Sequence, residues 1–447
     1  MTEEKKIELA KWLLDPDKQN PLPEDWNALE KLLKVSRLDG VLQKIELPLV
    51  EILEDMQKIG IKVDLDYLSD FSAELNEEIS KLVKKIYKLA GGEVNLNSPK
   101  QLSELFFEKL KISDEGIRKT KTGQRSTDVE TLTFLKDRHE IVSPILDYRE
   151  IFKIKSTYVE PLRELADKNG RIHTTFVQTG TGTGRLSSQS PNLQNIPTIS
   201  EWGKKVRRAF VAEKGYKLAS LDYSQIELRV LATVSGDPQM TEAFKKDLDI
   251  HKITAANVFN VPVEKVTTEM RYVAKTLNFG VIYGMGADAF AKVSGVPREK
   301  AQEFIKEYFS DFADIKTWQE KTIKKAREFG YVENLNGRRR ILPNINSPRR
   351  FFAAEAERVA INMPIQGLAA DIIKLAMIRV ADALKKKNWW QKKARMLLTI
   401  HDELVFEIEN DIINEATALI RSEMENAYKL SVPLKVDEAV GKNWSEI

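Results

Sequence analysis

The chain has 447 residues, 42% apolar and 31% charged, which suits about three domains or subdomains at ~150 residues each and excludes a disordered chain. Its 70 Lys and Arg against 67 Asp and Glu leave a formal charge of +3, so any nucleic-acid surface must come from local segregation of charge. With no cysteine and only His139, His173, His251 and His401, the chain excludes disulfides, thiolate zinc sites, iron–sulfur clusters and cysteine nucleophiles. The start MTEEKKIELAKWLL has acidic residues within its apolar patch, unlike a secretory signal, and no apolar run approaches the ~20 residues that span a bilayer. The expectation is a cytoplasmic protein without membrane contact; high Lys and Glu lean toward a heat-adapted source.

Along the chain, Lys5 to Leu14 predicts a short helix, and DPDKQNPLPEDW after it a linker. A helical stripe of Leu42, Ile45, Leu49, Ile52 and Met56 follows. Leu68, Leu75, Leu82 and Leu89 recur every seven residues with Ile79 and Ile86 between them, predicting a long helix packed on another and ended by Gly91-Gly92. Its natural partner runs from about Ser143 to Ala166. Between them, Ser98-Pro99 is an N-cap with a first-turn proline, and RKTKTGQRST (118–127) is a basic loop at the tip of the resulting arm. The heptad itself is core packing.

From Arg171 the polar, Gly- and Thr-rich RIHTTFVQTGTGTGRLSSQSPNLQNIP predicts strand and loop at a surface. TGTGTG lacks the Gly-Lys-Ser/Thr and the strand–loop–helix context of a phosphate loop, so that reading is rejected. KLASLDYSQIELRVLATVSGD predicts a strand over Leu218 to Leu221, a carboxylate, and a helix ended near Gly236. GRRRILPNINSPRR (337–350) is a basic loop; helices over 351–362 and 368–386 are separated at Pro364 and Gly367. ARMLLTIHDELVFEIE predicts strand, tight turn, strand, the second half-buried because Phe406 and Ile408 alternate with Glu407 and Glu409. A helix over about 411–430 and a strand in PLKVDEAVG close the chain.

Asp222 follows one apolar strand and Asp402 lies in the turn between two others. Singly, each fits an ordinary turn or helix-start aspartate. Together they could project from one sheet edge, where facing carboxylates repel unless a cation sits between them. Two divalent ions ~3.5–4 Å apart are the usual machinery of phosphoryl and nucleotidyl transfer. Oxygen ligands favour Mg²⁺ or Mn²⁺ over zinc, and Glu403 adds a third carboxylate. A second signal is RYVAKTLNFGVIYG: Arg271, Lys275, Phe279 and Tyr283, four apart, share one helix face about 18 Å long. A nucleoside triphosphate lying on it would meet cations with its phosphates and aromatics with its sugar and base. An amphipathic helix with exposed basic residues is the plainer account, and only the two aspartate motifs outweigh it. Ser224 and Glu227 match a capping box, which offers Glu227 a structural role.

LDYSQIELRVLATVSGD, the Arg271–Tyr283 helix and IHDELVFEIE resemble motifs A, B and C of the family A DNA polymerases, the bacterial DNA polymerase I group. TGRLSSQSPNLQNIP, GRRR and NMPIQGLAADIIKLAM resemble further stretches of that family, in order, from about residue 40 to the C-terminus. The resemblance implies an α+β right-hand fold with an antiparallel-sheet palm and helical fingers and thumb. Residues 1–38 would be an N-terminal remnant or linker, 39–64 the start of the palm, 65–166 the thumb, 167–228 palm, 229–350 fingers and 351–447 palm. It implies template-directed addition of deoxynucleotides to a primer 3′-OH with release of pyrophosphate, in DNA replication and repair, by a nucleoid-associated monomer whose partners are primer–template DNA and dNTPs. Two Mg²⁺ ions, replaceable by Mn²⁺, would be held by Asp222, Asp402 and the Tyr223 carbonyl, with Glu403 and Lys275 as further catalytic groups.

By the same resemblance, Arg271, Lys275 and His251 would bind the triphosphate, and Phe279 and Tyr283 would pack at the incoming sugar and the templating base. Glu227 would block a 2′-hydroxyl, and Gln225 would join the nucleotide site. Arg185, Asn362, Gln366 and His401 would line the primer terminus and minor groove, with Asn195 and Arg358 as further DNA contacts. Arg118, Lys119, Lys121 and the loop of Arg338 to Arg340 would grip phosphates. Phe279 suggests discrimination against dideoxynucleotides. KWLLDP resembles the tail of a proofreading-type domain, and neither proofreading nor 5′ nuclease activity is expected. A phage-type RNA polymerase is the nearest rival, disfavoured by Glu227. A metal nuclease would leave the Arg271–Tyr283 face unused, and a non-catalytic DNA-binding protein would be indifferent to loss of Asp402.

Overall fold

The Thr2 hydroxyl accepts from the Lys5 N–H and starts α1 (Glu3–Leu14), which buries Leu9, Trp12 and Leu13. The computed structural model describes residues 2–120, 123–198 and 200–447. The supposed linker gives way to a second helix, α2 (Trp26–Val35), that sequence reasoning missed. The Asp25 carboxylate caps it at the Ala28 N–H (2.8 Å), and Leu29 and Leu33, one turn apart, join Leu9, Leu13 and Leu42 in a small core. The stripe from Leu42 to Met56 forms a π turn, Leu42–Glu46, leading into α3 (Leu47–Ile59).

The heptad segment is α4 (Leu65–Ala90), capped by Asp64 and ended by Gly91 at φ 65°. It packs on α5 (Val142–Lys153), which continues through further helical turns to Leu165. Ile86, Leu96, Leu102, Phe106, Leu132, Leu135 and Ile145 give the tip of this arm its own core. Ser98 and Pro99 start the tip helix as expected.

The site rests on a four-stranded antiparallel sheet of β1 (Tyr216–Tyr223), β2 (Ala394–Ile400), β3 (Glu403–Glu409) and β4 (Val436–Gly441), in the order β4–β1–β3–β2. Its apolar side chains join the largest core, which takes in α6 (Ile226–Ser235), α7 (Ile250–Val258), α8 (Thr268–Ile282), α9 (Arg350–Lys386) and α10 (Ile413–Glu425). Two expectations fail here. β3 is buried on both faces: Glu407 is fully buried because Arg171 (2.6 Å) and Arg395 (2.7 Å) cover and neutralise it, and it accepts the Glu213 N–H at 2.8 Å. α9 is one helix of 37 residues running through Pro364, not two. Proline forfeits one backbone bond and costs about 3 kcal/mol, but Ala360, Met363, Ile365, Leu368, Ile372 and Ala376 are all fully buried, and their burial outweighs that loss. Gly367 does not break the helix; a Cβ there would come within 3.2 Å of the Thr183 carbonyl oxygen, so it permits a close approach. Among the described residues no helix is long and apolar enough to cross a membrane.

Candidate active site

The register of the sheet sets Asp222 of β1 directly between Glu403 of β3 and Asp437 of β4. Directly opposed residues of antiparallel strands share a face, so three carboxylates stand in a row at a strand spacing of about 4.8 Å. Asp402 joins them from the β2–β3 turn, where its carbonyl accepts the Tyr223 N–H at 3.2 Å and His401 takes the left-handed conformation (φ 57°) that a tight turn needs. Asp437 was missed in the sequence: nothing local in PLKVDEAVG tells which strand it will face.

Crowding dominates the electrostatics. Burial, then Asp402, Glu403 and Asp437, push the Asp222 carboxyl up to about 7. Burial also raises Asp402, against the opposing charges of Arg185 and His401, and raises Glu403, which accepts the Ser220 hydroxyl at 2.5 Å. Asp222 Oδ1 is buried without any hydrogen-bond partner. An orphaned carboxylate oxygen among like charges is what a divalent cation would relieve, and the all-oxygen donor set fits Mg²⁺. Among the described residues no three His, Asp or Glu side chains are grouped so that they could hold a metal ion by themselves, so an ion here would rest on fewer side-chain ligands. The Tyr223 phenol donates to the Met424 carbonyl in the core, so only its backbone is left for the site.

The capping box does not form. The Ser224 N–H remains tied to the Lys435 carbonyl at 2.9 Å, so α6 begins one residue later than a serine cap requires, with Gln225 left-handed at φ 53°. Glu227, 6% exposed, instead accepts from the Arg185 guanidinium and from the Tyr283 hydroxyl (3.1 Å), while Gln366 also bonds Tyr283. Burial raises the Glu227 carboxyl despite these donors. Gln225 Oε1 and Asn362 Oδ1 are buried without partners at this site's edge.

Arg271, Lys275 and Phe279 share one face of α8, and Tyr283 caps its end. Arg271 donates to Asp249 at 2.8 Å; Lys275 is exposed with no carboxylate partner among the described residues. His251 is buried, its ring 5.9 Å from that of Phe279, and its Nδ1 accepts from Asn278 Nδ2 at 3.0 Å, leaving Nε2 to carry the proton. Burial and the neighbouring Arg271 and Lys275 push it down to about 4, so at neutral pH it is an uncharged donor and not a third cation.

Unbroken α9 sets Arg358, Asn362 and Gln366, four apart, on one face, which two separate helices would not guarantee. His401 is exposed, and the Asn195 carbonyl accepts the Tyr158 hydroxyl at 2.7 Å. The phosphate-gripping expectation fails for Arg338. Only 2% exposed, it is locked between Glu46 (2.5 Å) and Asp371 (2.6 Å), because its hairpin folds back onto α9 and the segment before α3. Arg339 pairs with Glu333 and Arg340 with Asp17. At the arm tip Arg118 pairs with Asp128, Lys119 is exposed, and Lys121 lies outside the described residues.

The arginines explain two of the three glycines of TGTGTG: a Cβ at Gly182 would sit 2.8 Å from the Arg340 guanidinium, and one at Gly184 2.8 Å from Arg338 Nε. Trp12 Nε1 donates to the Thr181 carbonyl (3.1 Å) and the Thr179 hydroxyl to Glu8 (2.8 Å). The amino-terminal helix and the 338–340 hairpin thus hold the loop that delivers Arg185 to Glu227.

The family model for DNA polymerase family A matches residues 65–446. The thermostable DNA polymerase I of Thermus caldophilus is 46% identical over 419 residues, covering 94% of this chain and 50% of that protein. The DNA polymerase I of Caldicellulosiruptor bescii is 47% identical over 425 residues, covering 94% and 49%. The chain spans about half the length of these curated relatives. Among solved structures, the POL domain of Pol1 from M. smegmatis, in complex with DNA primer-template and dNTP, superposes with a TM-score of 0.92 at 36% identity, over 98% of this chain and 82% of that one.

Proposed function

The chain belongs to DNA polymerase family A and has its α+β polymerase fold, and from that premise we propose that it is a DNA-directed DNA polymerase adding deoxynucleotides to a primer 3′-OH and releasing pyrophosphate. The observation that carries the reading is the orphaned Asp222 Oδ1, crowded by Asp402, Glu403 and Asp437, in a chain that presents Arg271 and Lys275 along one helix face. Asp222, Asp402 and the Tyr223 carbonyl would hold two Mg²⁺ ions, with Mn²⁺ an acceptable substitute. When bound, the ions lower the pKa of the primer hydroxyl and stabilise the leaving pyrophosphate.

The chain's own residues do the rest. Lys275, free of any carboxylate among the described residues, and Arg271, released from Asp249, draw in the triphosphate and neutralise charge developing on its oxygens. Neutral His251 donates Nε2–H to a phosphate oxygen without adding charge. Phe279 and Tyr283 pack on the sugar and the templating base. Glu227, clamped by Arg185 and Tyr283, fills the space a 2′-hydroxyl would need, favouring deoxynucleotides over the ribonucleotides of an RNA polymerase. The sheet and the segments flanking it (39–64, 167–228 and 351–447) serve as palm, 229–350 as fingers and the 65–166 arm as thumb. Primer and template run along the α9 face of Arg358, Asn362 and Gln366, with Asn195 and His401 nearby. The reading includes a monomeric, nucleoid-associated enzyme that extends DNA without proofreading or 5′ nuclease activity.

A primed template with Mg²⁺ and dNTPs, given to wild type and Asp402→Ala, tests this. Extension is expected to vanish in the variant while DNA binding is largely kept and falls steeply with salt. Undiminished extension by Asp402→Ala would refute it, and degradation of a mismatched primer by wild type without dNTPs would refute the absence of proofreading.

A further inference from the structure

The start of α9 carries a feature that the reaction above does not use. In SPRRFF (347–352), Phe351 is 72% exposed and Phe352 37%, their rings edge to face with centroids 5.6 Å apart. The Arg349 guanidinium lies 6.0 Å from the Phe352 ring. Neither Arg349 nor Arg350 has a carboxylate partner among the described residues, whereas Arg339 and Arg340 of the same loop are both paired. Exposed aromatic faces beside unneutralised guanidinium groups match a polyanion that carries π faces of its own.

The helix geometry says which polyanion. At 100° per residue, Arg358 and Asn362 fall within about 20° of Phe351 around α9, and Gln366 within about 60°. Gln366 touches Tyr283 at the mouth of the site, and Arg358 lies against Gly284, where a Cβ would meet its Cγ at 3.1 Å. From Gln366 outward to Phe351 is fifteen residues, about 22 Å of helix. Glu355, about 40° from Phe351, is the one carboxylate on this face, where Arg358 opposes it, and Arg349 and Arg350 flank the two rings from the helix start.

We propose that Phe351 and Phe352, flanked by Arg349 and Arg350, form a stacking platform for single-stranded template DNA, reached about six nucleotides ahead of the templating base at ~3.4 Å per stacked nucleotide. The inference rests on the polymerase reading and adds to it a binding site for the unpaired strand.

The test is equilibrium binding of the full chain, followed by fluorescence anisotropy, to primer–templates whose 5′ template overhang is two or ten nucleotides long. Wild type is expected to prefer the long overhang, and the double variant Phe351→Ala/Phe352→Ala to bind it about tenfold more weakly while holding the short one unchanged. Phe351→Trp is expected to keep the preference, with its indole emission quenched by the long overhang only. Equal losses on both substrates, no loss on either, or no overhang preference in wild type would overturn the proposal. So would binding of anionic phosphatidylserine vesicles that depends on the two phenylalanines while overhang binding does not. Extension separates this inference from its premise: if wild type fails to extend a primer on the two-nucleotide overhang, the polymerase reading falls and the platform with it. Normal extension together with any overturning result removes the platform alone.

Discussion

Replacing Asp222 by Asn should stabilise the metal-free protein while abolishing extension. The Asp222 carboxyl sits at about 7 in the folded chain against an ordinary 3.8, through burial and the charges of Asp402, Glu403 and Asp437. Below about pH 3 both folded and unfolded chains hold this proton and it makes no difference to stability. As pH rises toward 7 the unfolded chain gives the proton up while the folded chain retains it, so wild type loses stability by about 1.4 kcal/mol per pH unit. The full interval would come to about 4 kcal/mol, and because the carboxyl is only partly buried, solvent screening brings the expected effect down to about 2 kcal/mol. The amide of the Asp222→Asn variant keeps the shape and cannot ionise. Urea unfolding by circular dichroism in EDTA is therefore expected to show equal stabilities at about pH 3 and an advantage of about 2 kcal/mol for Asp222→Asn at about pH 8. Excess Mg²⁺ should narrow that gap, since only wild type gains from binding. A gap that does not change with pH, or a wild type more stable at pH 8 without metal, would refute the picture of a carboxylate crowded by its neighbours.

Three further outcomes follow from the same physics. Glu46→Ala leaves Arg338 and Lys374 buried without their shared partner and should cost about 3–5 kcal/mol in urea unfolding. Gly184→Ala puts a Cβ 2.8 Å from Arg338 Nε at φ 91° and should cost at least about 2 kcal/mol in thermal unfolding. Because that loop delivers Arg185, the variant should also extend primers more slowly at a temperature where it remains folded. Lys275→Ala removes a cation that no described carboxylate engages, so kcat/KM for a dNTP should fall about a hundredfold in single-turnover extension, with DNA affinity and unfolding midpoint unchanged.

The amino-acid order by itself determined what neighbours a few positions apart can settle. Gly91 ends the long helix, Ser98 with Pro99 starts another, and the strand–turn–strand around Asp402 is legible because caps, breakers and alternation act over one or two turns. Residue chemistry also singled out Asp222, Asp402 and the Arg271–Tyr283 face, the residues on which the proposed metal and triphosphate sites rest. Only the tertiary structure decided the rest. Arg338 lies buried because Glu46, 292 positions away, meets it. Asp437 flanks Asp222 through a strand register that a one-residue slip would have turned to the other face. Glu227 leaves its local cap for Arg185 and Tyr283, and α9 passes through Pro364 because its packing partners come from distant segments. The physical reason is common to all four. Local torsions and caps cost or contribute about one to three kcal/mol, whereas pairing a buried charge or burying a helix face is decided by partners that only the folded chain brings together.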